Sequence, residues 1–282
     1  MFKDLVVPVT GTPTDADALN LALALAASEG SHVTALEIVN LPLPLASPWG
    51  MTPDLAMSDV YEKLRAEGAA RAAALRQRLA KESVSNEVVL VESMFAEPSQ
   101  MAARLALHAD LSVVANALGD NTEADRTRAM VTGLLLESGR PVLTAPPRWQ
   151  SPMPPRHVVV AWRPTAEAAR ALHDALPLLH RAEVVDVVLI DPVDEIRGAD
   201  QAGKAGSAVV AHLARHGIKA NAVTRESGGR PASEVLLGYV DEVRAQLLVV
   251  GGYGHTRFRE WALGGMTREL LFSATVPVLF SH

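Results

Sequence analysis

Short apolar runs alternate along this chain with longer stretches whose apolar positions recur at helical spacing. Leu5-Val6-Val7-Pro8-Val9 reads as a strand buried on both faces, and it ends at Thr10-Gly11-Thr12-Pro13. The Ala/Leu-rich run 15–28 predicts a helix stopped by Gly30. The pattern then predicts strands at 32–39, 87–92 and 111–115, with helices over 58–81 and 98–108. Residues 134–136 fall on a further helix, and Arg140-Pro141-Val142-Leu143 closes the series as a short strand. Before the long helix lies Leu41-Pro42-Leu43-Pro44-Leu45-Ala46-Ser47-Pro48-Trp49-Gly50, where prolines forbid regular structure. It reads as a loop packed on its own domain, with a lid or partner-binding surface as the alternative.

Composition changes abruptly over Pro146-Pro147-Arg148-Trp149-Gln150-Ser151-Pro152-Met153-Pro154-Pro155, which is linker-like. Beyond it the order of elements repeats. Strands are predicted at 157–161, 184–190, 219–225, 247–250 and 277–280, with helices at 165–179, 205–216 and 231–243 between them. Three anchors pair across the repeat: Thr10-Gly11-Thr12 with Arg163-Pro164-Thr165, Glu97-Pro98-Ser99 with Arg230-Pro231-Ala232, and Arg140-Pro141-Val142-Leu143 with Val276-Pro277-Val278-Leu279. The expected class is therefore α/β, with a doubly wound, mostly parallel sheet in each half. The expected domains are 1–146 and 156–282, joined by a linker at 147–155.

Composition agrees with that class. Hydrophobic residues make up 49% of the 282-residue chain and aromatic residues only 4%, so the cores are built from Ala, Val and Leu, as in helix-covered sheets. A formal net charge of −6 offers no broad attraction to nucleic acid or to an anionic membrane, and neither is an expected partner. The absence of cysteine excludes disulfides, thiol catalysis and Cys-based zinc sites. Met1-Phe2-Lys3-Asp4 leads straight into the first strand without the layout of a signal peptide, so a cytoplasmic location is the expectation.

The candidate chemistry lies near the end of the chain. Leu247-Leu248-Val249-Val250 breaks into Gly251-Gly252-Tyr253-Gly254, and Gly264-Gly265-Met266-Thr267 follows nine residues later. A buried strand that opens into glycines and re-enters a helix brings bare backbone N–H groups to an anion. Gly251 and Gly254 allow close approach, Gly264 and Gly265 open the helix, and Thr267 can add a hydroxyl. The competing reading is a tight turn with close helix-sheet packing. His255, Arg257 and Arg259 make the loop locally basic, suited either to phosphate or to solvent. His212 and His216, four apart on a predicted helix, have metal-ligand spacing, but without a nearby Glu-His motif or any cysteine the preferred reading is that they are solvent-exposed. Gly198 to Ala205 approaches a P-loop, but Ala205 stands where a Ser or Thr is needed and the preceding strand does not run into it. No nucleophile elbow, His-Glu-x-x-His motif or Ser/His/Asp arrangement is recognisable.

The spacing Gly251-x2-Gly254-x9-Gly264 resembles the nucleotide-binding signature of the universal stress protein family, and the resemblance extends over both halves as two domains in tandem. It implies a five-stranded, Rossmann-like parallel sheet in each half, with the halves pairing through their last strands as an intramolecular pseudo-dimer. It also implies that ATP or a related adenine nucleotide, accompanied by Mg2+, is held by Gly251, Gly254, Gly264, Gly265, Met266 and Thr267. The family's first strand typically ends in an Asp near the ribose or adenine. Here Val160-Ala161-Trp162-Arg163-Pro164-Thr165 puts Arg163 at that position, after Ala161 and Trp162. A guanidinium cannot accept a hydrogen bond from a ribose hydroxyl, so the ligand sits differently or is more anionic. Gly265 stands where the family has Ser or Thr. In the first half Ala115, Leu118 and Arg128 replace the three glycines, and no nucleotide is expected there. The implied role is stress sensing or protection without catalysis. A partner-binding protein without nucleotide function and a slow ATPase are the alternatives, and a homodimer or an unknown protein partner is compatible with all three.

Overall fold

The computed structural model describes residues 1–43, 55–117, 119, 121–191, 202–252 and 265–282, and structural statements refer to these. The first half lays down β1 (Asp4–Val9), α1 (Asp15–Glu29), β2 (His32–Asn40), α2 (Leu55–Leu79), β3 (Asn86–Ser93), α3 (Pro98–Ala106), β4 (Leu111–Ala115), α4 (Thr122–Glu137) and β5 (Val142–Ala145). The second half repeats the order with β6 (His157–Ala161), α5 (Ala166–Leu179), β7 (Val184–Ile190), α6 (Ala202–Arg215), β8 (Ala220–Arg225), α7 (Ala232–Val243), β9 (Leu247–Gly251), α8 (Gly265–Ser273) and β10 (Val278–Ser281). Every apolar run predicted as a strand is one, close to its predicted ends. Local chemistry sets the helix ends. Gly30 closes α1 in the left-handed region at φ 67°, where its N–H reaches the carbonyl of Ala26, and the side chains of Asn121 and Thr165 accept the N–H groups of Ala124 and Ala168 to start α4 and α5.

The strands form one ten-stranded sheet in the order β3-β2-β1-β4-β5-β10-β9-β6-β7-β8. Within each half all neighbours are parallel; the halves meet where β5 and β10 pair antiparallel, with Leu143 opposite Leu279. These two leucines are related by the same offset that relates Pro141 to Pro277, so the pseudo-twofold axis passes between them. The expected pseudo-dimer is therefore a single continuous sheet. Successive residues of a strand enter opposite layers: Leu5 and Val7 join the layer covered by α1, α2, α5 and α6, whereas Val6 joins the layer covered by α3, α4, α7 and α8. Each layer runs through both halves.

Polar contacts reinforce the seam. Asn116 Nδ2 donates to the carbonyl of Ala274 at 3.2 Å, and Arg181 Nη1 donates at 3.0 Å both to the carbonyl of Ser28 and to the buried carboxylate of Glu29. The Pro-rich segment between β5 and β6 is also held down: Trp149 and Met153 pack against the α1/α5 layer, and the N–H of Arg148 donates to Asp17. Of the loop beginning at Leu41, that leucine is buried and Pro42 accepts a hydrogen bond from the Tyr61 hydroxyl at 2.8 Å. The rest of that loop from Pro44, Trp49 included, lies outside the described residues. Among the described residues no helix is long and apolar enough to cross a membrane.

Candidate functional site

In the C-terminal half β6 lies between β9 and β7, so the connections leaving β6 and β9 diverge and open a crevice at their carboxyl ends. Two predicted segments meet at that edge. The first is the turn after β6. The Trp162 N–H continues the ladder to the carbonyl of Val188 at 2.8 Å, Trp162 packs its ring on the α1/α5 layer, and the Thr165 N–H folds back to the carbonyl of Arg163 at 2.8 Å. Ala161 and Trp162 are half-buried and Arg163 is exposed. Among the described residues Arg163 has no hydrogen-bond or ion-pair partner, so its guanidinium remains available to an anion.

The second segment is the end of β9. A Cβ added to Gly251 would stand 2.6 Å from both the Ala168 nitrogen and the Glu167 carbonyl carbon. The strand end is thus pressed onto the first turn of α5, just beyond the turn that carries Arg163. Gly252 donates its N–H to Ser281 at 2.8 Å, and a Cβ there would meet Leu135 of the other half at 2.8 Å. These first two glycines are therefore required by packing, whatever else they contact.

Gly265 opens α8, is exposed, and would place a Cβ in open space. Met266 is half-buried against the α4/α8 layer, and Thr267 is only 3% exposed. Gly254 and Gly264 lie outside the described residues, together with His255, Arg257 and Arg259. Described parts of the site thus come from three elements: Ala161, Trp162 and Arg163 after β6, Gly251 at the end of β9, and Gly265 to Thr267 in α8.

In the N-terminal half, at the matching place between β1 and β4, the turn after β1 is held by its own chain. The Asp15 carboxylate accepts the N–H groups of Thr10, Gly11 and Thr12 at 3.1, 2.8 and 3.1 Å, and the Thr10 hydroxyl at 2.7 Å. Burial pushes the Asp15 carboxyl above its ordinary range, against the pull of these donors. Backbone N–H groups that could face a ligand are therefore already committed. Sequence reading did not single out Asp15. Its signal was an acidic residue in the first helical turn after a glycine turn, a common arrangement with many purposes. Asp15→Ala leaves several donors without their acceptor and is expected to lower stability by about 2 kcal/mol, read from the urea midpoint.

A second polar cluster sits toward the amino ends of the C-terminal strands, away from the crevice. Asp186 on β7, 5% exposed, accepts from Asn221 on β8 at 2.9 Å and from the Tyr239 hydroxyl on α7 at 2.9 Å, and it contacts His157 Nε2 on β6 at 2.8 Å. Burial raises the Asp186 carboxyl, but these three hydrogen bonds outweigh it and hold it below the usual carboxylate range. Burial and the neighbouring carboxylate push the Tyr239 hydroxyl up to about 12. The cluster ties two neighbouring strands and a helix to β7 and presents nothing to the crevice.

A doubly wound α/β protein with a glycine-ended strand at its switch point is the class that this architecture defines. The family model described as the universal stress protein family matches residues 1–117 and 155–282, and the chain belongs to that family. In the first half the match stops just where the glycine loop would begin. A universal stress protein from Archaeoglobus fulgidus DSM 4304 superimposes with a TM-score of 0.67 at 13% identity, covering 99% of this chain and 97% of that one. A functionally unknown protein from Pseudomonas aeruginosa PAO1 gives a TM-score of 0.59 at 15% identity, covering 99% and 92%. At such identities the likeness shows the shared tandem fold. No curated protein matches the chain.

Proposed function

We propose that the C-terminal half binds a phosphate-bearing ligand of the adenine nucleotide class in the crevice between β6 and β9, and that the N-terminal half completes the sheet without binding one. The observation that carries this reading is the contrast between the two crevices. In one, Asp15 takes the backbone donors; in the other, Arg163 is exposed on the turn after β6, next to the strand end at Gly251. A phosphate would meet backbone N–H groups of the glycine segment, the amino end of α8 and the Arg163 guanidinium. The adenosine part would lie along Ala161 and Trp162, with Mg2+ neutralising a triphosphate.

Arg163 at the place of a ribose-facing Asp favours a ligand with more negative charge over one recognised by its sugar. Among the described residues the arrangement supplies oriented donors and no positioned nucleophile or base, which fits a stress-responsive binding module better than an ATPase. Ligand occupancy would change the stability of the C-terminal half, and with it the surface offered to a protein partner or to a second copy. The protein would act in the cytoplasm.

Small molecules released from purified, undialysed protein, identified by mass spectrometry and followed by calorimetric titration with ATP and Mg2+, test the reading. A stoichiometric adenine nucleotide is the expected result. Gly265→Val is the informative variant because a Cβ there meets no described atom within 4 Å. It should leave the fold intact and weaken ATP binding by about tenfold or more. Gly254→Val, drawn from the same motif, should do likewise, and Arg163→Asp should weaken triphosphates more than adenosine. Empty protein that also ignores added ATP would sink the reading and direct attention to partner binding.

A further inference from the structure

The seam between the halves reaches the proposed nucleotide site from the N-terminal side. By the offset that relates Leu143 to Leu279, Asn116 after β4 stands where Gly252 stands after β9. The two make the same ladder contact: the Asn116 N–H donates to the carbonyl of Ala145 at 2.7 Å, and the Gly252 N–H to that of Ser281 at 2.8 Å. Each also meets the last helix of the other half. Gly252 faces Leu135 on α4 so closely that a Cβ would stand 2.8 Å from that side chain, and Asn116, 1% exposed, donates Nδ2 at 3.2 Å to the carbonyl of Ala274, just past α8.

A further contact joins the same two helices. Arg128 on α4, the residue that replaces the third glycine of the motif in this half, lies with its guanidinium 5.2 Å from the centre of the Phe272 ring on α8. Beneath them Leu134, Leu135, Leu270 and Leu271 share one buried layer. On its other side α4 is seated firmly on its own half, since a Cβ at Gly133 would stand 2.7 Å from the Cβ of Ser99 on α3. A helix fixed in this way is a rigid support. It touches both described ends of the glycine segment, the strand end at Gly252 and the helix that Gly265 opens.

We infer that the N-terminal half regulates the nucleotide site, with Asn116, Arg128 and Leu135 as positioning residues that hold the two ends of the glycine segment in register. The inference rests on the nucleotide reading. Backbone donors bind an anion tightly only when they are held in place beforehand, because ends that are free to move must be ordered at the cost of affinity. Ligand affinity in the C-terminal half therefore depends on how α4 is seated. Coupling of this kind is reciprocal, so ligand binding in turn tightens α4 against α8. The half that takes no nucleotide of its own thereby sets the affinity of the half that does.

Calorimetric titration of the full-length chain with ATP and Mg2+ tests this against a disruption of the same seam elsewhere. Arg128→Ala removes the contact with Phe272 from a side chain 19% exposed, and should weaken ATP binding by about fivefold or more. Leu135→Ala, which unseats Gly252, should weaken it at least as much. Arg181→Ala breaks the ion pair with Glu29 on the opposite face of the sheet and should leave ATP affinity within about twofold of wild type. Hydrogen exchange supplies a second readout. Without ligand, the amides of β9 and α8 should exchange faster in Arg128→Ala than in wild type or Arg181→Ala, and ATP should slow exchange in α4 of the wild type. Leu135 is buried and its variant can fail to fold; Arg128→Ala then decides. Wild type that binds no ATP removes the nucleotide reading and this inference with it. Wild type that binds ATP while Arg128→Ala binds it equally well, or while Arg181→Ala loses as much affinity as Arg128→Ala, overturns this inference alone.

Discussion

Gly251→Ala is expected to cost about 3 kcal/mol or more, a large effect for one methyl group, because the obstruction is backbone rather than side chain. The added carbon would lie 2.6 Å from atoms of the Glu167–Ala168 peptide, and a peptide inside the first turn of a helix cannot rotate out of the way. α5 would have to move off β9, taking with it Ala171, Leu172 and Ala175 in the layer that crosses both halves. Gly252→Ala serves as the comparison. Its Cβ would meet the terminal carbon of Leu135 at 2.8 Å, and a leucine can adjust its χ angles, so a loss of about 1 kcal/mol is expected. Urea unfolding of the two variants measures the difference. Equal and small losses would show that α5 is not seated on the strand end. The same contact makes Gly251 unsuitable for testing ligand approach, since any loss of binding there would be confounded with loss of packing.

Asp186→Asn is expected to destabilise the protein by about 2–3 kcal/mol at neutral pH. The substitution replaces an acceptor oxygen with an N–H donor that faces donors already in place on Asn221, Tyr239 and His157. Its pH dependence follows from the depressed carboxyl. A group whose folded pKa lies below its unfolded value, about 3.9 for Asp, contributes stability that is fully present well above that value and is lost as pH falls through the folded pKa. The gap between wild type and Asp186→Asn should therefore be widest at pH 6 to 7 and narrow as pH drops from about 5 toward 3. Chemical unfolding across that range checks it. A gap that widened on acidification would mean that the carboxyl is not held ionised by its partners.

Much of the architecture was legible along the chain because strand and helix periodicities are short-range properties. Val158, Val159 and Val160 form a continuous apolar run, and only a strand covered on both faces uses all three. Gly30 after the Ala/Leu run marks a helix end for a local reason, its positive φ. The repeat, read from three anchor pairs, led directly to two matching halves. The meeting of those halves along their last strands came from resemblance to the family. Periodicity has nothing to say about which edge strand pairs with which.

The candidate site divides in the same way. The sequence by itself determined that a glycine-rich break follows a buried strand in the second half and has no counterpart in the first, and it placed an arginine at the end of the half's opening strand. Tertiary structure alone decided what the glycines are pressed against. Glu167 and Ala168 are far from Gly251 along the chain, and Leu135 belongs to the other half. It alone decided that Asp15 takes up the N–H groups of the turn after β1, because an acidic residue in a first helical turn closes a nest only when the preceding strand directs its N–H groups there. It alone brought the ring of His173, on α5, against His212 and His216. Backbone conformation and burial are set mainly by a residue and its near neighbours; a site is set by side chains from distant segments, and their meeting depends on how helices pack on the sheet.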